Sequence, residues 1–244
     1  MDSLRRLMLL CSLGSFIWAW TITASGGTGK AEPNDYARIA VDLELMQGHL
    51  IASLENYKLG QTALAQAHAA HPLHEHYSDL PPTFAKEHAD LDKMVRETLA
   101  RLSQSLNEQV EVNAYASLVQ DAARLLEQVS MILIPPDMRT TPTFQAAVLV
   151  HILKEVAEEY DEAVKDGKVV NLPEYQDAFG FLQRARALKE ALAIQMTDSD
   201  RQQLQALWPT FEEAIPNIMP PSSPKSAQAV EAHVGAAVDL FQAK

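Results

Sequence analysis

The stretch Tyr36-Ala-Arg-Ile39-Ala-Val41-Asp-Leu43-Glu-Leu-Met46-Gln-Gly48-His49-Leu50-Ile51-Ala-Ser-Leu54-Glu55-Asn-Tyr57 decides the fold. Its apolar positions Ile39, Val41, Leu43, Met46, Leu50, Ile51 and Leu54 fit the three-and-four spacing of a helix that buries one face. Gly60 follows as a stop. The same spacing recurs along most of the chain, and alternating strand patterns are nearly absent. Helices are expected over residues 61–70, 83–106, 111–134, 140–165, 172–196, 198–207 and 226–241, with a short one through 74–77. Pro81-Pro82, Pro135-Pro136 and Asp166-Gly167 punctuate them. Short connections between long helices make neighbours antiparallel, so the fold class is all-α, an antiparallel helical bundle. A pseudo-repeat pairs the region around His49 with that around His151. In each, a His is followed two turns on by a Glu and then a Tyr, with spacings that differ by a residue or more. Two related halves remain an open alternative.

The organisation around this body is read from its ends. Arg5 and Arg6 precede an apolar run from Leu7 to Trp20, and Thr23, Ala24 and Ser25 follow. That is the order of a secretory signal, assigned to residues 1–25, with cleavage between Ala24 and Ala31. The expected location is therefore periplasmic or secreted. Cys11 lies in that run, so the processed chain has no thiol for disulfides, zinc-thiolate sites or iron–sulfur clusters. Residues 33–215 are expected to form the bundle, 216–225 a Pro/Ser-rich linker and 226–244 a C-terminal helix. The formal net charge of -12 attracts cations and basic partners, and without a basic cluster it argues against nucleic acid.

Three segments could carry chemistry. Gly48-His49 and His68-x-x-His71-Pro72-x-His74-Glu75-His76 concentrate histidines in under thirty residues. His68 and His71 share a helical face, and His49 could approach from the antiparallel neighbour. His49, His68, His71 and Glu75 are the candidate ligands here, with His76 and His88 as weaker members. The alternative is a set of exposed or capping histidines beside a helix break. The second segment places His151, Glu155 and Glu159 four apart on one stripe, although a solvated acidic face explains such a run as well. The third is Asn171-Leu-Pro-Glu174-Tyr175-Gln-Asp177-Ala-Phe-Gly180. Glu174 suits a helix start, whereas Asp177 in the second turn is not a cap. Gly180 inside a helix costs about 1 kcal/mol relative to alanine, which close approach of another helix would explain. A hairpin of these last two helices would bring Glu159 to Glu174, and paired carboxylates in a bundle either raise a pKa or bind a cation.

The segment Glu158-Glu159-Tyr160-Asp-Glu-Ala-Val164-Lys-Asp166-Gly167-Lys-Val169-Val170-Asn171-x-x-Glu174-Tyr175 resembles the extracytoplasmic helical domain associated with bacterial high-affinity iron permeases. The His71-Pro72-x-x-Glu75 segment resembles the His-x-x-Glu motif of imelysin-type periplasmic iron-uptake proteins. The resemblance implies a periplasmic protein of metal, chiefly iron, uptake or handling, with Glu159, Glu174 and Asp177 functional. The partners expected for the chain are the metal ion and a membrane permease or oxidase. Imidazole and carboxylate together suit iron, with copper or zinc as alternatives. A competing reading is a non-catalytic interaction module whose last helix docks on a membrane partner. No Gly-rich phosphate loop, Gly-x-Ser-x-Gly elbow, His-Glu-x-x-His stretch or paired Glu-x-x-His motif is present, so an enzyme is not expected.

Overall fold

A computed structural model describes residues 33–242. The assigned signal segment lies outside the described residues. The chain is built almost wholly from helices: α1 (Pro33–Lys58), α2 (Thr62–His71), α3 (Pro82–Glu87), α4 (Ala89–Asn107), α5 (Val112–Leu133), α6 (Pro136–Arg139), α7 (Pro142–Ala163), α8 (Leu172–Ala193), α9 (Asp198–Ala214) and α10 (Ala227–Gln242). Among the described residues, no helix is long and apolar enough to cross a membrane.

The long helices form two four-membered rings. In the first, α1 packs on α2, α2 on α4, α4 on α5 and α5 back on α1. In the second, α8 packs on α7, α7 on α10 and α10 on α9. The Arg186–Glu212 ion pair and Lys189 over the Trp208 ring link α8 to α9. The rings join where α1 crosses α8. One continuous core runs through both, from Leu43, Met46 and Leu50 on α1 to Phe181 and Leu182 on α8 and Phe211 on α9.

The crossing of α1 and α8 is set by two glycines. A Cβ on Gly180 would lie 2.8 Å from the carbonyl carbon of Gly48 and 3.3 Å from its Cα, so the two backbones touch. The close approach expected at Gly180 is thus made by Gly48. Arg184 and Glu44, 2.6 Å apart, tie the same pair of helices one turn further along α8. Because the backbones meet here, residues next to each glycine face one another across the seam.

Several expected boundaries shift for identifiable reasons. The chain does not break at Pro72. His71 stays helical (φ -55°, ψ -42°), and Pro72–His76 forms a π-turn in which the Tyr77 N–H bonds to the Pro72 carbonyl. Proline removes one donor, and widening the turn by a residue restores the ladder. A 3₁₀ turn, Tyr77–Asp79, follows. The helix expected over 83–106 is two helices, α3 and α4, meeting at His88, whose ψ of 46° is not helical. Helix α9 continues past residue 207, through Pro209, because Trp208 and Phe211 bury in the core. Asp166 and Gly167 both have positive φ (52° and 70°) and close a two-residue hairpin, β1 (Val164–Lys165) with β2 (Lys168–Val169). Positive φ at both central residues is the turn that Asp-Gly favours.

The C-terminal helix is not a tethered appendage. Val230, Val234 and Ala237 of α10 are buried where it packs on α7 and α9. The non-helical segment before it is fastened by the Tyr160 hydroxyl, which donates to the Lys225 carbonyl at 2.9 Å. An α10 that docks elsewhere by its apolar face would have to leave the core.

Candidate metal centre

Asp177 lies one turn before Gly180 on α8, and His49 follows Gly48 on α1. The glycine contact therefore presses them together. The Nδ1 of His49 donates to Asp177 Oδ1 at 2.6 Å, and both side chains are almost wholly buried. Helix α2 supplies His68, whose Nδ1 reaches the same oxygen at 2.8 Å. His71, one turn on, places its Nδ1 3.4 Å from Asp177 Oδ2 and 3.6 Å from Glu75 Oε2. His49, His68, His71 and Asp177 each offer one ligand atom, and these atoms lie within 4.8 Å of one another.

The surroundings orient these donors. His68 Nε2 donates to Gln176 Oε1 at 2.9 Å, and Gln176 exchanges two 3.0 Å hydrogen bonds with Asn56. Anchoring the far nitrogen of an imidazole to an oxygen turns its other nitrogen toward a metal, the usual outer arrangement of histidine ligands. Buried polar atoms nearly always find a hydrogen-bond partner. His71 Nδ1 is buried and forms no well-aligned hydrogen bond, only the 3.4 Å approach to Asp177 Oδ2. Three imidazole nitrogens, one of them unsatisfied, around a buried carboxylate suit a divalent transition-metal ion.

The electrostatics are those of a tight ion cluster. Burial alone would raise the Asp177 carboxyl. The His49 and His68 rings, through charge and hydrogen bonds, outweigh burial and hold it well below the usual range. Burial pushes His68 and His71 down, but Asp177 reverses both. His68 ends raised, and His71, helped by Glu75 and Glu174, ends at about 9.

A second group of donors adjoins the first. His49 Nε2 faces His76 Nε2 at 3.1 Å and Glu75 Oε2 at 3.5 Å. The π-turn makes this possible, since it sets His71, Glu75 and His76 on one side of the chain. Burial, reinforced by His49, lowers His76 to about 3, so its ring is neutral. Asp42, one helical stripe from His49 on α1, places Oδ1 3.9 Å from His76 Nδ1. Its Oδ2 is buried without a hydrogen-bond partner.

Burial pushes the Asp42 carboxyl up to about 7, with Asp79 and Glu155 adding to the rise and Arg38 opposing it. The folded state thus binds this proton more tightly than the unfolded state, whose value is 3.8. Stability therefore declines as pH rises between the two values and stays reduced above pH 7. Asp42→Asn is expected to stabilise the metal-free protein by on the order of 2 kcal/mol at pH 8 and by almost nothing at pH 4. Denaturant melts at the two pH values check this, with Arg38, Asp79, Glu155 and His76 as the facing groups.

The remaining expected ligands fall outside the cluster. His151, Glu155 and Glu159 do share a line on α7, but eight residues of helix rise about 12 Å, too far to close on one ion. His151 is half-buried and is lowered by burial and by Lys154; it joins no metal-capable group among the described residues. Glu155 sits toward Asp42 and is pushed up to about 7 by burial and Glu158. Glu159 lies within electrostatic reach of Asp177 and Glu174. Burial first, then those two carboxylates, push its carboxyl well above the usual range. Glu174 accepts from Asn171 at 3.3 Å, so it also serves the start of α8. His74 is exposed. Sequence reasoning undervalued His76 and missed Asp42, Gln176 and Asn56. Asp42 could have been found seven residues before His49 on the same helical face.

No curated protein and no solved structure matches the chain. Residues 135–244, a little under half of the chain and the part that holds α7, α8, α9 and α10, match the family model of the iron permease-associated 4-helix bundle domain.

Proposed function

We propose that this protein binds a divalent iron ion among His49, His68, His71 and Asp177, and acts outside the cytoplasm in iron uptake beside a membrane permease. The observation that carries the reading is the convergence of three imidazole nitrogens on one buried carboxylate, with His71 Nδ1 left unsatisfied. The likeness of residues 135–244 to an iron permease-associated domain supports iron as the cargo and a permease as the partner. Asp177 comes from that matched part, while the three histidines come from the ring that precedes it. The ion would thus be held between the rings. The extracytoplasmic location rests on the basic and apolar order of the first 25 residues.

The competing docking-module reading relied on a free apolar face on the last helix, and that face packs inward. The donor set itself is compatible with zinc or copper, so the test must include them. Anaerobic equilibrium dialysis against Fe(II), Zn(II) and Cu(II), followed by metal analysis, is expected to find one ion per chain. His71→Ala should weaken binding at least about tenfold, since it removes one ligand of four. Failure of the folded protein to retain any of the three metals contradicts the proposal. Tighter retention of zinc than of iron would reassign the cargo.

A further inference from the structure

The geometry points to a second, shallower metal station, formed by His49 Nε2, His76 Nε2 and the Glu75 carboxylate, through which an ion enters the buried group. This inference deepens the metal-binding reading above and rests on it.

Three observations support it. First, His49 belongs to both sets of donors. Its Nδ1 faces Asp177 at 2.6 Å, and its Nε2 faces His76 at 3.1 Å and Glu75 at 3.5 Å. Second, exposure falls along the route: the Glu75 side chain is 49 % exposed, His76 15 % and His49 1 %. An ion arriving from solvent meets a carboxylate, then a partly covered imidazole, then the shared ring. Third, His76 is aimed. Its Nδ1 side faces Asp42, whose other oxygen has no hydrogen-bond partner, and its Nε2 faces the proposed station. At 3.9 Å the Asp42 contact is electrostatic and not a hydrogen bond, and it leaves the opposite nitrogen of His76 turned to the station.

The shared ring gives the two stations a definite relation. A neutral imidazole has one N–H and one lone pair, so His49 ligates through one nitrogen at a time. With an ion at the outer station, Nδ1–H donates to Asp177. With an ion at the inner station, Nε2–H faces His76 and Glu75. Occupancy is therefore exclusive, and transfer inward moves one proton off Nδ1 while Nε2 gains one. The chain holds one ion at saturation although it has two sets of ligands.

Cobalt(II), whose visible absorption reports its ligands, is the probe. Stopped-flow mixing of cobalt with the full protein is expected to give two phases. The fast one should be proportional to cobalt concentration, and the slow one independent of it. Glu75→Gln and His76→Ala should each remove the fast phase and slow loading about tenfold or more, leaving one cobalt per chain at the end point. Glu75 is half-exposed, so its variant keeps the fold in hand if the partly buried His76 variant does not. Loading at the wild-type rate in both variants overturns the entry role. Loss of all cobalt at equilibrium in both variants also overturns it, because the two residues would then belong to a single site. Wild-type protein that takes up no cobalt, iron or zinc fails the underlying metal reading, a result distinct from either.

Discussion

Asp177→Asn is expected to weaken metal binding at least about 100-fold and to destabilise the metal-free protein by about 3 kcal/mol near pH 6. Among the described residues, Asp177 is the only carboxylate that touches His49, His68 and His71 together, at 2.6, 2.8 and 3.4 Å. Removing its charge leaves buried imidazoles without their counter-ion, which is where the loss of a buried partner is most damaging. The pH dependence follows from the directions of the shifts. Asp177 is held below its ordinary value, so its contribution is present above about pH 4 and fades as pH falls. His68 and His71 are raised, so theirs is complete below 6.5 and is lost as pH climbs, for His71 through about 9. The variant should therefore differ most from the parent between these limits and converge with it in strong acid. Urea titrations across that range, paired with metal dialysis, read both effects. A variant as stable as the parent at pH 6 would show that the cluster contributes nothing to the fold.

Gly180→Ala is expected to lower stability by about 3 kcal/mol, a fall in Tm of roughly 6–12 °C for a chain of this size. In an ordinary helix interior the same change would stabilise by about 1 kcal/mol, so the sign alone is diagnostic. The new methyl group would meet the Gly48 backbone, which has no rotamer to change. Helices α1 and α8 must then separate, and His49 moves away from Asp177 with them. Metal affinity should fall together with stability. Gly48→Ala is the informative contrast. Its Cβ would lie 2.5 Å from Cδ1 of the Phe181 ring and 3.1 Å from the nearest α8 backbone atoms. The nearest obstacle is a side chain and the backbone lies farther off than it does for Gly180, so the loss should be smaller. Thermal melts of the two variants check the order; equal or reversed losses would mean that the backbone contact is not what sets the crossing.

Much of the fold was legible because helical periodicity is local. The spacing of Ile39, Leu43, Met46 and Leu50 needs no tertiary information, and neither does Asp-Gly at 166–167 as a tight turn. Gly180 advertised a close helix contact because nothing else justifies glycine there, although its partner, Gly48, emerges only from the packing. The candidate site was half legible. His49, His68 and His71 stood out by residue type and density, and Asp177 by lacking a capping explanation. Their convergence depends on a crossing between helices more than a hundred residues apart, which spacing alone does not encode. The stripe at His151, Glu155 and Glu159 misled for the converse reason: a shared helix face aligns side chains but spreads them along the axis. His76 was undervalued because Pro72 reads as a helix break. The chain instead widens into a π-turn and carries His76 to the side that faces His49.

The most direct measurement is an anomalous difference map, recorded at the iron absorption edge, from anaerobic crystals of the full protein loaded with Fe(II). One peak per chain is predicted between α1, α2 and α8, within about 2.3 Å of nitrogens from His49, His68 and His71 and of an Asp177 oxygen. Iron found only on surface carboxylates, with Asp177 still hydrogen-bonded to His49 and His68, would contradict the proposed site.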